Sequence, residues 1–282
     1  MIELKFSIGK YLAQFVDWLN VNYYAPFDMI SHAMEKSVVH VEAALLYPKP
    51  WWIIVIFGLI AWRLSGKGVA LFTVLGLSFC FMMNLWKETM LTTALVAVST
   101  LSALLIAIPF GILAGRSKIV DQITRPIMDF MQTMPPWVYL IPAVILFGLG
   151  RSTAVMATAI YSIPPALRLT NLGIRQVPME QVEAGNAFGA SKFQILMKIQ
   201  IPSALPTIMA GVNQCIMMAL SMVVLAGLVG AGGLGGEVTR GLTRMMLGVG
   251  VRSGLAIVFL AIILDRISQG GVDFFRKGAR RK

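Results

Sequence analysis

Polar and aromatic side chains stand inside long apolar stretches of this 282-residue sequence, where they could bind a solute that crosses a membrane. The polar ones are Asp129, Gln132, Thr133, Asn213 and Gln214. Polar groups within membrane spans are costly, and they usually line a pathway or pair with one another between helices. The aromatic residues Trp137, Tyr139 and Tyr161 could attract a quaternary ammonium ion through their ring faces. The residues therefore indicate a transport pathway, with helix packing as the alternative for each.

Catalytic and cofactor-binding patterns are missing from the sequence. No G-x-x-x-x-G-K-[ST] segment is present, so a phosphate-binding loop for ATP is not expected on this chain. Segment 230–235 fits G-x-G-x-x-G, but an apolar stretch precedes it and Leu255, about 20 residues later, is not acidic. Cys80 and Cys215 lie in apolar runs without metal-ligand spacing. We therefore expect no catalytic residue, no metal and no cofactor bound by this chain.

The composition indicates a membrane protein. Hydrophobic residues make up 57% of the chain and charged residues 13%, well below the share of about 25% that is usual in soluble domains. The net charge of +11 sits between apolar stretches and at the C-terminus, which is typical of charge that orients spans. We therefore expect a lipid membrane and no nucleic acid as the partner of this basic chain.

Seven apolar stretches predict an all-α, polytopic membrane protein with about seven transmembrane helices. They cover residues 51–65, 68–86, 89–115, 126–149, 152–170, 205–230 and 251–268. A span needs about 20 apolar residues, so the first and last are short. The distribution of lysine and arginine places the 171–204 loop and the C-terminus in the cytoplasm, and the N-terminus outside.

The chain divides into four parts. Residues 1–49 show two apolar stripes at helical spacing and form an amphipathic or scaffold segment, lying either in the membrane interface or against other protein. Residues 50–87 are predicted to form two peripheral transmembrane helices, and 88–270 a core that contains the 171–204 loop. Residues 271–282 form a basic cytoplasmic tail.

Small residues and prolines mark special places in the core. Ala103, Ala107, Gly111 and Gly115 recur every four residues, which predicts one face of a tightly packed helix interface. Pro135-Pro136 and Pro164-Pro165 are predicted to interrupt two spans. Since broken helices often line a cavity, these two breaks point to the channel.

The 171–204 loop carries the pattern E-A-G-x3-G-x9-I-x-I-P. Its residues are Glu183, Ala184, Gly185, Gly189, Ile199, Ile201 and Pro202. Small side chains let a short helix lie flush in a groove on a partner, and Gly189 permits the positive φ that ends such a helix. Ser191 is predicted to cap the next helix, whereas Pro202 and Pro206 are predicted to break the chain before the following span. The loop therefore indicates docking and not a reaction centre.

The pattern resembles the EAA loop of ABC importer permeases, which normally reads E-A-A-x3-G-x9-I-x-L-P. The sequence departs from it at Gly185 and Ile201, a small and an apolar replacement that leave the pattern recognisable. The resemblance implies that Glu183 and the other motif residues couple the chain to a separate ATPase, which holds ATP and Mg. It also implies the MetI-like core of a type I ABC importer.

Further segments resemble glycine betaine/proline permeases of the ProU/OpuA type. They are Met131–Pro142, Gln176–Pro178, Pro206–Gln214, Ala219–Val224 and Ala261–Arg266. The resemblance implies import of glycine betaine or related quaternary ammonium or proline-type osmoprotectants through the plasma membrane of a prokaryote. Choline, carnitine or methionine is the alternative cargo, and an ion-driven secondary carrier is the alternative from another class.

The same resemblance implies the assembly in which such a chain works. It comprises a homodimer of the permease, two ATP-binding subunits with regulatory domains, and an extracellular substrate-binding protein. Because the sequence ends at Lys282 on the predicted inner side, we expect the binding protein to be a separate chain.

Overall fold

The computed structural model describes residues 8–279, and the regular secondary structure in that range is helical throughout. The helices are α1 Ile8–Asn22, α2 Tyr24–Leu46, α3 Pro50–Ser65, α4 Lys67–Met82, α5 Trp86–Arg116, α6 Lys118–Thr133, α7 Trp137–Phe147, α8 Arg151–Arg175, α9 Met179–Ala187, α10 Lys192–Ile195, α11 Ile201–Ala226, α12 Gly233–Thr243 and α13 Leu247–Ala279. Residues 1–7 and 280–282, including the end of the predicted basic tail, lie outside the described residues. The predicted all-α class is confirmed.

Helices α5, α8 and α11 form the centre of the fold, with α8 packed between the other two. Close approach depends on the small residues of α5, since a Cβ at Gly111 would lie 2.6 Å from the Thr170 Cβ. A Cβ at Gly115 would lie 2.7 Å from the Ile174 Cβ. Gly111 faces Thr170 and Gly115 faces Ile174, so residue numbers increase in the same direction along both helices and α5 runs parallel to α8. The predicted tight interface is confirmed, and its partner is in the same chain.

Pro135 and Pro136 break the chain between α6 and α7, which meet at an angle of 101°. Proline has no backbone N–H and disfavours helix in the residue before it, so two in succession end α6 at Thr133. The predicted break at this site is confirmed. The stretch predicted as a span over 126–149 therefore consists of two differently directed helices, joined at the proline pair.

The other predicted proline breaks are wrong. Pro164 and Pro165 lie inside α8, which continues to Arg175, and both are buried. Packing against α5 and α11 supports the helix there and outweighs the loss of backbone hydrogen bonds. Pro202 occupies the first turn of α11, where its missing N–H costs little, and Pro206 is accommodated farther along the same helix.

Among residues 8–279, three helical segments are long and apolar enough to cross a membrane: α5, Lys192–Val229 and Leu247–Gly271. The count reaches five if the bent pairs α2 with α3 and α6 with α7 each form one span. The sequence predicted seven, and the difference lies in short or polar helices. The 16 residues of α4 extend about 24 Å, less than a hydrocarbon core of about 30 Å. Helix α8 is longer but buries several hydroxyl side chains.

The N-terminal helices pack on protein. Val38 of α2 is fully buried in a cluster with residues of α5, α8 and α11. Glu42 of α2 is also buried and pairs with Arg151 at the start of α8, at 2.8 Å. Phe27 of α2 contacts Phe147 of α7 edge to face, with ring centroids 5.7 Å apart. Of the two alternatives for segment 1–49, the structure favours packing against the core for α2.

Candidate functional site

The motif loop forms two short helices joined by a tight turn. Helix α9 starts after Pro178 and is followed by Gly189, which has a φ of +75°. No atom lies within 4 Å of a Cβ built at Gly189, so the glycine is required by the backbone conformation and not by lack of space. The predicted role of Gly189 in ending the helix is confirmed.

Ser191 caps the helix that follows the turn. Its hydroxyl accepts a hydrogen bond from the Gln194 backbone N–H at 3.3 Å, and the Gln194 side chain accepts one from the Ser191 N–H at 2.8 Å. This reciprocal pair is a capping box, which satisfies backbone donors at a helix start. The predicted cap is confirmed, and it fixes the direction in which α10 leaves the turn.

The close packing around Gly185 explains why glycine replaces the usual alanine at this position of the motif. A Cβ at this position would lie 2.7 Å from the Ile199 Cδ1 and 3.3 Å from the Ile195 Cγ1. Helix α9 therefore lies closer to the helical segment after the turn than an alanine would allow without a shift of Ile199. Ser203 of α11 also donates a hydrogen bond to the Gln181 side chain at 3.1 Å. The motif residues of both halves thus form one compact unit.

The second half of the loop continues directly into a membrane-spanning helix. Helix α10, a π-helical turn at Leu196–Gln200 and α11 follow one another without a break. Pro202 cannot donate to the preceding turn, and the wider π turn is the kind of local adjustment that absorbs such a loss. Since the segment Lys192–Val229 is continuous, a displacement of the loop moves one end of this span.

The tip of the loop exposes several large apolar side chains. Glu183 and Ala184 are exposed on α9, and Phe188 in the turn has 92% of its surface exposed. Phe193 of α10 is 69% exposed and Met179 at the start of α9 is 65% exposed. Large apolar side chains on a polar loop indicate a protein contact surface. Sequence reasoning missed Phe188 and Phe193, although their position on either side of the turn was visible. We call residues 179–197 the docking tip.

Asp129 forms an ion pair with Arg168 of α8. Both side chains border a cavity of about 320 Å³ between α6 and α8, close to the end of the bundle that carries the docking tip. Gln132 and Thr133 are exposed at the end of α6, next to the bend. The Thr133 hydroxyl donates to the Phe130 carbonyl at 2.9 Å. Three polar pathway candidates therefore lie on one helix, and Asp129 already has a partner.

The aromatic candidates differ in accessibility. Trp137 begins α7 and is 51% exposed. Tyr139 is buried, donates its hydroxyl to the Met131 carbonyl, and meets Tyr161 edge to face with centroids 5.7 Å apart. The ring and hydroxyl of Tyr139 therefore hold α7 against the end of α6 and against α8, while Trp137 keeps a free face.

Asn213 and Gln214 point to different surroundings although they are adjacent. The Asn213 side chain donates to the Asp265 carboxylate of α13 at 3.0 Å, which is the interhelical alternative foreseen for it. Gln214 is exposed on α11, on a face that also contains Ala210, Met217 and Ser221. This exposed, mixed polar face is available to a second chain or to a solute.

Sequence reasoning missed a charged cluster at the start of α6. Asp121 is only 6% exposed, and its carboxylate accepts hydrogen bonds from Asn171 at 2.6 Å and from Arg125 at 3.0 Å. It also forms an ion pair with Arg175 at 3.1 Å. A signal existed, because Asp121 with Arg125 and Asn171 with Arg175 are each four residues apart. The contact between the two pairs depends on the fold.

Comparison with known proteins gives consistent results. The family described as "Binding-protein-dependent transport system inner membrane component" matches residues 107–281. The chain is 42% identical over 265 residues to the glycine betaine transport system permease protein OpuAB of Bacillus subtilis, covering 94% of each. It is 43% identical over 276 residues to the glycine betaine/proline betaine transport system permease protein ProW of Escherichia coli, covering 97% of this chain and 78% of ProW.

Further relatives and a solved structure agree with these matches. The glycine betaine/carnitine transport permease protein GbuB of Listeria monocytogenes is 48% identical over 224 residues, which cover 78% of this chain and 79% of GbuB. Among solved structures, the inward-facing MetNI methionine ABC transporter matches with a TM-score of 0.60 at 22% identity. That match covers 71% of this chain and 97% of the other, and at this identity it supports the fold alone.

Proposed function

Since the chain belongs to the family of binding-protein-dependent transport system inner membrane components, we propose that it carries glycine betaine or a related quaternary ammonium or proline-type osmoprotectant. As a member of the family it is a multi-pass inner-membrane permease of an ABC importer, and a partner subunit handles ATP. The cargo rests on one observation, the 42–48% identity to permeases named for glycine betaine over most of the chain.

The docking tip is the part that engages the ATPase. Glu183 and Ala184 face outward on α9, next to the exposed ring of Phe188, while Gly185 and Ile199 pack inside the loop. The remaining motif residues, Gly189, Ile201 and Pro202, shape the turn and the start of α11. The motif thus divides into a contact face and a frame. Because the frame runs into α11, rigid-body movement of the ATPase is transmitted to a span.

The assembly is a homodimer of this chain with two ATP-binding subunits that carry regulatory domains, together with a separate extracellular binding protein. ATP is hydrolysed in the cytoplasm, so the docking tip faces the cytoplasm and the N-terminus lies outside. The exposed face of α11 that contains Gln214 contributes to the surface between the two permease copies. Segment 1–49 acts as a scaffold, supported by the packing of α2 on the core of 88–270.

The substrate pathway runs along the bend between α6 and α7. Gln132, Thr133 and Trp137 are exposed around it and offer polar atoms and an aromatic face. Asp129, Tyr139 and Asn213 contribute indirectly, because each is already engaged by another helix or turn. An ion-driven carrier is disfavoured by the pairing of Asp129 with Arg168, because the neighbouring positive charge opposes binding of a coupling cation at that carboxylate.

Competition for uptake tests the cargo. Vesicles containing the permease, its ATPase and its binding protein are loaded with ATP on the ATPase side, and entry of labelled glycine betaine is followed. We expect excess unlabelled proline betaine to suppress labelled uptake, because it shares the quaternary ammonium and the carboxylate. Excess methionine is expected to have no effect, since it lacks the quaternary ammonium.

Vesicles without the binding protein provide the control and are expected to show background uptake. If methionine, choline or carnitine is taken up and glycine betaine is not, the proposed cargo is wrong, whereas the ATP-driven import mechanism stands.

A further inference from the structure

Asp121 lies where three helices meet. It is in the first turn of α6, and its carboxylate is held by Arg175 and Asn171 of α8. The Arg175 guanidinium also donates to the Ala114 carbonyl near the end of α5, at 3.0 Å. Arg175 is oriented within its own helix by a bond from its Nε to the Asn171 side chain, at 2.9 Å. One guanidinium therefore joins α5, α6 and α8.

Arg175 is also the last residue of α8, and only three residues, 176–178, separate it from the docking tip. The end of α5 contacts the docking tip directly, since the Arg116 side chain donates a hydrogen bond to the Lys192 carbonyl at 3.4 Å. A displacement of α9 is therefore applied to the residue that holds Asp121.

Helix α6 has few other attachments. Within the described chain, Asp121 and Met128 are its only buried side chains. The second polar contact with α8 is the ion pair between Asp129 and Arg168, two turns away and about half exposed. Exposed ion pairs contribute little, whereas removal of one partner from a buried pair is costly. The buried Asp121 contact is thus the firmer of the two polar attachments of α6 to α8, beside the apolar packing of Met128.

Helix α6 leads into the bend at which Gln132, Thr133 and Trp137 lie. We infer that Asp121 and Arg175 form the joint through which displacement of the docking tip moves α6 and so the bend of the substrate pathway. The inference rests on the proposed function, and it makes Asp121 and Arg175 positioning residues for transport. If the contact between Asp121 and Arg175 is removed, we expect ATP hydrolysis to continue while it drives less transport.

The test is the ratio of glycine betaine imported to ATP hydrolysed by the complete complex in vesicles. Arg175→Gln removes the charge and the bond across helices, and the ratio is expected to fall about fivefold or more. Arg175→Lys keeps the charge and is expected to restore part of the ratio. Arg125→Gln is the matched control, because Arg125 bonds the same carboxylate from within α6 and joins no second helix.

We expect Arg125→Gln to keep the wild-type ratio. An unchanged ratio in Arg175→Gln overturns the inference, as does a parallel fall of uptake and hydrolysis, which marks a purely structural role. Asp121→Asn gives a second test of the joint, and a wild-type ratio there also overturns it. Absence of ATP-dependent uptake in the wild-type complex defeats the proposed function itself, so the two failures are distinguishable.

Discussion

Glu183→Lys is expected to abolish ATP-driven uptake by the assembled transporter. Glu183 is exposed on the contact face of the docking tip, and its main-chain frame is fixed by the Gly189 turn and the Ser191 cap. Reversal of a charge at a complementary interface brings like charges together, at a cost of several kcal/mol. We therefore expect affinity for the ATPase to fall about a hundredfold or more. Affinity is measured with the purified subunits, and uptake in vesicles.

Glu35→Lys is the control for this change. Glu35 is an exposed glutamate of α2, and its replacement alters the net charge by the same amount away from the docking tip. We expect wild-type association and uptake from it. If Glu183→Lys retains both activities, the docking tip has been misassigned.

Glu42→Ala is expected to destabilise the folded chain by about 3–5 kcal/mol. The Glu42 carboxylate bonds Arg151 at 2.8 Å, and the side chains are 10% and 29% exposed respectively. Removal of the carboxylate leaves the Arg151 charge partly buried without its partner, which costs more than the pair itself contributes. The loss is measured as the fall in unfolding free energy of the purified permease in detergent.

The double variant Glu42→Ala with Arg151→Ala removes both charges, so it is expected to recover part of the lost stability. Glu35→Ala, on the exposed side of the same helix, is expected to change stability by less than about 0.5 kcal/mol. Equal stability of Glu42→Ala and wild type would show that α2 is not fastened to the core through this pair.

Local features of the docking tip were predictable because they depend on neighbouring residues. The Gly189 turn after a short helix and the Ser191 cap involve residues within one or two turns of each other, and the structure has both as expected. The small-residue face of α5 was predictable for a similar reason, since its period alone places Gly111 and Gly115 on one side.

Features set by tertiary packing were not predictable. Pro164 and Pro165 look like helix breakers, yet α8 is held on two sides and continues through them. The proline pair in the 126–149 stretch predicts a break, but its sequence does not show that the chain turns by 101° after Thr133. The contact of Asp121 with Arg175 requires α6 to lie antiparallel to α8, a pairing that residue spacing alone does not specify.

The driving force of uptake distinguishes an ATP-driven importer from an ion-driven carrier. Uptake is measured in vesicles that contain the complete complex and the binding protein, under two conditions. In the first, ATP is supplied and the ion gradients are collapsed. In the second, a sodium or proton gradient is imposed and ATP is omitted. We expect glycine betaine to accumulate in the first condition only, and not to accumulate when ATP is replaced by a non-hydrolysable analogue. Accumulation driven by an ion gradient without ATP would show that transport by this chain is not powered by the ATPase.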